Sequence, residues 1–158
     1  MALQAARATA ELSRRARRGG VPVIYCNDNF GKWRSDFRQL LDHCRHDDAR
    51  GREIAELLQP DKEDYFVLKP KHSAFHSTSL DILLDHLQTK TLVLTGVQGD
   101  FCVMLSAHDA YMRDFELIVP SDCVATDPEE DNRFALAHLA KVCKAKIAAS
   151  TQVDFARL

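Results

Sequence analysis

The sequence predicts an α/β fold in three layers, a doubly wound parallel sheet with helices on both faces. Two observations predict it. Short apolar runs rich in β-branched residues alternate with longer segments whose leucines and alanines recur at helical spacing. The short runs are continuous rather than alternating, which suits strands covered on both faces. Strand–helix alternation then implies right-handed crossovers and an open parallel sheet.

The elements follow in order. Residues 2–18 read as a helix stopped by Gly19 and Gly20. Arg14, Arg15, Arg17 and Arg18 make its last turn basic, where cations suit the helix dipole. A transit peptide has a similar composition, but Glu11 and the direct run into a strand favour a helix of the domain. Residues 21–26 (VPVIYC) form a buried strand, and Asn27, Asp28, Asn29, Phe30 and Gly31 a loop. Residues 35–46 and 51–58 are expected helices, the second closed by Pro60. Tyr65–Lys69 is a second strand, with Pro70 removing a donor just past it. Thr78 is placed as an N-cap with Asp81 three residues on, ahead of Leu80, Leu83, Leu84 and Leu87 at helical spacing.

Residues 91–97 (TLVLTGV) read as a buried strand and residues 102–113 as the next helix. Residues 115–119 are a strand bounded by Pro120. Asp127 at N-cap, Pro128 at N1 and Glu130 at N3 start another helix, with Leu136, Leu139, Ala140 and Cys143 on its apolar face. Residues 146–149 are a last short strand. No linker, repeat or low-complexity stretch interrupts the 158 residues, so the chain is read as one domain, residues 1–158.

Composition narrows the function. A hydrophobic content of 46% excludes a disordered chain. A formal net charge of -2 gives no electrostatic reason to expect nucleic acid or an acidic membrane as partner. No apolar run approaches the ~20 residues that span a bilayer. The five cysteines are odd in number, without CxxC spacing or a secretory signal. A disulfide framework is therefore not expected, and a cytoplasmic location is. A small-molecule substrate remains the expected partner.

In open parallel sheets, ligands bind beyond the carboxyl ends of the strands. Those ends carry Cys26, Asn27 and Asp28; Lys69; the segment from Val97 to Cys102; and Ser121 with Asp122. Cys102 opens a helix after a tight segment. There the dipole and free backbone N–H groups favour a thiolate and could hold an oxyanion. A packed cysteine at a helix start explains the same position equally well. Lys69 could lower the thiol's pKa and steady an oxyanion, or could simply reach solvent. In the following loop, His72-Ser73-Ala74-Phe75, Phe75 either walls a pocket or joins the core. Asn27, Asp28, Phe30 and Trp33 suit a small polar substrate with a flat face, or ordinary loop packing. Phe101 is placed with them as a pocket residue. His43, Cys44, His46, Asp47 and Asp48 match no standard zinc spacing, so no metal site and no cofactor are expected. GxGxxG, GxxxxGK[ST] and GxSxG are all absent.

The run LKPKHSAFHSTSLDILLDHL, then TLVLTGVQGDFCVMLSAHDAYMRD, then VPSDCVAT, resembles the isochorismatase-like cysteine hydrolases. VIYCNDNFGKWRSDF extends the likeness, which runs from about Val21 to the C-terminus. The resemblance implies a Rossmann-like, isochorismatase-like sheet. It implies Lys69 as the family lysine and Cys102 as the nucleophile. It also implies a cis peptide between Val97 and Gln98, and an oxyanion hole from the backbone N–H groups of Gln98 and Cys102. Relatives that cleave the vinyl ether of isochorismate can lack the cysteine. Its presence implies attack on a C–N bond, in an amide, carbamoyl or ureide group, through a thioester.

The resemblance also implies a departure. The family aspartate lies on a first strand near the N-terminus, and nothing before Val21 is similar to it. An N-terminally truncated domain is therefore expected, with a central strand missing between those of residues 21–26 and 91–97. Asp28 or Asp100 could stand in as base. An inactive member that binds a small molecule or a partner chain stays open, as does a thiol-redox protein using Cys102. An exposed sheet gap would favour a homo-oligomer.

Overall fold

The computed structural model describes residues 1–29 and 51–158. The expected helix 35–46, Phe30, Trp33 and the cluster from His43 to Asp48 lie outside the described residues.

The described chain begins with helix α1 (Ala2–Arg18), strand β1 (Ile24–Asp28) and helix α2 (Arg52–Leu57). Strand β2 (Tyr65–Lys69) and helix α3 (Leu80–His86) follow, then the short strands β3 (Thr91–Val93) and β4 (Gly96–Val97). A π-helical turn (Gly99–Val103) leads into α4 (Met104–Tyr111). Strands β5 (Glu116–Pro120) and β6 (Val124–Ala125), helix α5 (Glu129–Val142) and strand β7 (Lys146–Ala148) complete the layers. Two 3-10 turns, Ser150–Gln152 and Phe155–Arg157, close the described chain.

All strand pairs are parallel. Among the described residues they fall into three ladders, β1-β2, β3-β5-β7 and β4-β6. No ladder joins β1 to β3 there. Strand β3 is only partly buried instead of enclosed.

Double winding is visible in β5. Leu117 and Val119 face a core built with Leu80 and Leu84 of α3, Ala107 and Ala110 of α4, and Leu139 of α5. Ile118, pointing the other way as the pleat requires, packs with Leu12 of α1, Cys123 and Val153. Leu84 and Leu139 are essentially inaccessible, and each contributes ~1.5–3 kcal/mol by burial. Helix α1 is fastened at its basic end. Arg15 donates to the carbonyls of Ser150 and Val153, and Arg17 makes a two-point contact with the buried carboxylate of Asp64, at 3.0 and 2.6 Å. Among the described residues, no helix is long and apolar enough to cross a membrane.

Several expected boundaries shift. The first strand starts later and includes Asn27 and Asp28, because the β2 ladder satisfies their backbones. Residues 91–97 split into β3, which pairs with β5, and β4, which pairs with β6. The helix expected from residue 102 begins at Met104, after a turn closed by Val103 N–H donating to Gln98 O at 3.1 Å. Helix α3 has Ser79 at its N-cap, while Thr78 Oγ1 accepts from Leu80 N–H at 3.2 Å. Helix α5 begins at Glu129, with Pro128 extended at its N-cap instead of at N1.

Candidate active site

The last rung of the β1-β2 ladder pairs Asp28 with Lys69. Adjacent parallel strands set such partners side by side, and both stand at the carboxyl end of the sheet. Lys69 Nζ donates to Asp28 Oδ1 at 2.8 Å and lies 3.4 Å from the carbonyl of Lys71. The Lys69 side chain is buried, at 6% exposure, whereas Asp28 is open at 39%. A buried ammonium needs such a partner.

The thiol arrives from the other side of the ladder gap. Cys102 sits in the π-helical turn and is half-buried. Its Sγ lies 3.8 Å from Lys69 Nζ and 3.9 Å from His72 Nδ1. The His72 ring stacks on Phe101, with centroids 4.1 Å apart. The peptide joining Val97 and Gln98 is cis.

Two contacts pin the loop after β2 onto the helix that follows Cys102. Ser73 Oγ donates to Asp109 Oδ2, and Ala74 N–H donates to Ser106 Oγ at 2.9 Å. Ser106 Oγ in turn donates to the carbonyl of Cys102 at 2.7 Å. A displacement of this loop is thereby felt at Cys102.

Not every expected residue joins this cluster. Phe75 is buried, with its ring near Phe115 and beneath the Arg113 guanidinium at 4.7 Å, so it belongs to the core. Asn27 neighbours Asp28 in an extended strand and therefore points to the opposite face. Asp100 is engaged by Thr126, whose Oγ1 donates to Asp100 Oδ1 at 3.0 Å. Asp122 accepts from Ser150 N–H and Oγ, at 2.7 and 2.6 Å, and has a structural role. Among the described residues, no group of three or more histidine, cysteine or acidic side chains is arranged to hold a metal. A concavity of about 460 Å³ opens at the amino ends of β3 and β5, lined in part by Thr91, Glu116 and Lys146, and contains none of the residues at Cys102.

Two contacts were not legible in the sequence. One is the approach of His72 to the sulfur; a single loop histidine carries no spacing signal. The other is the Asp28–Lys69 pair, which only the ladder register creates.

The other described cysteines, Cys26, Cys123 and Cys143, differ from Cys102 in their surroundings. Burial pushes the Cys123 thiol up to about 11. Desolvation likewise pushes Cys26 up to about 11, against the opposing influence of Lys69. Cys143 is raised by burial alone.

Comparison with known proteins agrees with this architecture. The isochorismatase domain model matches residues 2–152. An uncharacterized isochorismatase family protein of Bacillus subtilis (strain 168), YaaI, is 39% identical over 142 residues, 90% of this chain and 77% of that protein. The N-carbamoylsarcosine amidase of Thermoplasma acidophilum superposes with a TM-score of 0.76 at 28% identity, over 97% of this chain and 86% of that one. A pyrazinamidase/nicotinamidase of Streptococcus mutans UA159 gives 0.72 at 28% identity, over 92% and 86%. With a matching domain model, a relative 39% identical and matched over 77% of its length, and a shared parallel α/β fold, the chain belongs to the isochorismatase-like hydrolase family.

Proposed function

We propose that this chain is a cysteine hydrolase that cleaves a C–N bond in an amide, carbamoyl or ureide group of a small molecule. The observation that carries the reading is the approach of Lys69 Nζ to Cys102 Sγ at 3.8 Å, with Asp28 at 2.8 Å from the same ammonium. A sulfur beside an ammonium, in the turn that leads into a helix, is placed to act as the nucleophile. Structural similarity to an N-carbamoylsarcosine amidase and a pyrazinamidase/nicotinamidase supports a C–N substrate.

The course has two halves. The sulfur attacks the carbonyl carbon and forms a C–S bond, and the carbonyl oxygen becomes an oxyanion. The backbone N–H groups of Gln98 and Cys102 are its proposed donors, and Lys69 adds charge stabilisation. The C–N bond then breaks, and nitrogen leaves as ammonia or an amine carrying a proton. Water attacks the thioester, the C–S bond breaks, and the acid is released with the thiol restored.

Phe101, half-exposed beside Cys102, is the proposed wall for the flat face of the substrate. Asp28 keeps the Lys69 ammonium oriented and supplies a carboxylate at the site. It thereby weakens the alternative of an inactive binding protein. The test is ammonia or amine release from a panel of amides, carbamoyl amines and ureido acids, comparing the wild type with Cys102→Ala. Turnover of a panel member that disappears in the variant supports the reading. Equal rates in the two proteins remove Cys102 as nucleophile.

A further inference from the structure

We infer that His108 and His138 form a site for a divalent transition metal between α4 and α5, apart from the cluster at Cys102. The two imidazoles come from different helices, and their Nε2 atoms lie 3.1 Å apart. The ring centroids are further apart, at 5.1 Å, so the rings meet by these nitrogen edges rather than by stacking.

The tautomer of His108 follows from its other nitrogen. His108 Nδ1 lies 2.8 Å from the carbonyl oxygen of Met104. A carbonyl only accepts, so Nδ1 carries a proton and donates it, and the neutral ring presents a lone pair at Nε2. Metal-binding histidines are held in this way, one nitrogen donating to a fixed oxygen and the other turned to the ion. The Met104 carbonyl lies one turn back along the same helical run, so α4 itself aims the ring. His138 packs against Phe134, one turn earlier on α5, with centroids 5.9 Å apart. Both histidines are half-buried, so an ion can reach them from water.

The spacing suits a shared ion. Two nitrogens ~2.0–2.1 Å from one metal stand ~2.9 Å apart at a right angle and ~3.3 Å apart at the tetrahedral angle. The observed 3.1 Å falls between these values. Without an ion, His138 Nε2–H donates to His108 Nε2. With an ion, that proton is exchanged through solvent for one on His138 Nδ1, and both Nε2 lone pairs go to the metal. Imidazole ligands suit zinc, copper and nickel. The described residues supply these two ligands and no grouped third one, which leaves positions open to water, as in an exchangeable site rather than a closed structural centre. The ion would clamp the helix that follows the Cys102 turn to the helix whose Asn132 flanks Gly99 of that turn.

The experiment titrates the full chain with nickel chloride by calorimetry in chelator-free buffer, and compares unfolding midpoints in nickel and in EDTA. The wild type should bind nickel and unfold at a higher temperature with it than without. His108→Ala and His138→Ala should each weaken that binding by about 10-fold or more and remove the midpoint shift. Cys102→Ala should keep both, because its thiol is not a ligand here. A wild type that takes up no nickel at millimolar concentration overturns the site, as do histidine variants that bind like the wild type. A second measurement needs no variant. Nickel is paramagnetic, so the ring signals of His108 and His138 should broaden in the wild-type NMR spectrum at lower metal concentration than those of the other histidines. Broadening that begins elsewhere overturns the site even where a variant fails to fold.

Discussion

Gly99→Ala tests the link between packing and chemistry most directly. Gly99 opens the turn that carries Cys102 and is buried. A Cβ added there would lie 2.5 Å from Val124 Cγ1, 2.8 Å from Asn132 Oδ1 and 3.1 Å from Thr126 Oγ1. Ordinary carbon–carbon contact is ~3.5–4.0 Å, so about 1 Å must be found. Val124 cannot easily supply it. It is β-branched and lies in β6, with its carbonyl accepting from Asn132 Nδ2 at 3.3 Å. The turn itself must move, and Cys102 with it. Overpacking of this kind costs ~1–3 kcal/mol. A ~1 Å displacement of a nucleophile can cost about 100-fold in rate. The expected outcome is a lowered urea midpoint together with a much lower kcat on the amide that the wild type turns over. Val124→Ala, which removes the nearest clashing atom, should recover part of both losses in the double variant. A Gly99→Ala protein with the wild-type midpoint and the wild-type rate would refute the argument.

Three further outcomes are expected. Arg17→Ala strips the two-point partner from Asp64, whose side chain is 2% exposed, and should cost ~3 kcal/mol in denaturant unfolding, because the carboxylate stays buried without its cation. Ser106→Ala leaves the buried Ala74 N–H and the Cys102 carbonyl without their shared partner, and should cost ~1–3 kcal/mol and lower kcat, as read by unfolding and turnover. The Cys123 thiol, raised by burial from 9.0 to about 11, stays protonated in the fold where the unfolded chain has already ionised; stability should therefore fall as pH rises from about 9 to 11, and Cys123→Ala should flatten that part of the urea-midpoint profile.

The layers were legible because burial on both faces leaves a compositional mark. Tyr65–Lys69 could be read to the residue, since β-branched and aromatic residues fill it and Pro70 stops it. Helix α1 was equally clear from its spacing and its glycine stop. What failed was whatever depends on a distant partner. Asn27 and Asp28 have turn chemistry locally, yet Leu68 and Lys69 across the ladder hold them in a strand. Residues 91–97 look like one strand because nothing local reports that β3 and β4 choose different neighbours. Strand β6 is too short, at Val124–Ala125, to leave any periodicity. The site divides in the same way. Cys102 and Lys69 were singled out by their positions at strand ends, whereas the Asp28 contact needs the register and the His72 contact needs the fold of its loop.

The arrangement of the described ladders and the candidate site bear on each other. Asp28 and Lys69 ride on the β1-β2 ribbon, and Cys102 rides on the turn after β4, with no backbone ladder between the two groups among the described residues. In a continuous sheet, main-chain hydrogen bonds would set the distance from ammonium to sulfur. Among the described residues, other contacts help to set it. They are the Ser73–Asp109 and Ala74–Ser106 bonds, and the apolar cluster in which Val67 of β2 meets Val103 and Ala107. Side-chain contacts of this sort are individually weak, so the two halves of the site should be able to shift while each ladder stays intact. That is why Ser106, which touches no proposed substrate, carries an expected loss of rate. It is also why the Asp28–Lys69 pair, both members on one ribbon, should outlast the contact between Lys69 and Cys102 when the protein is stressed.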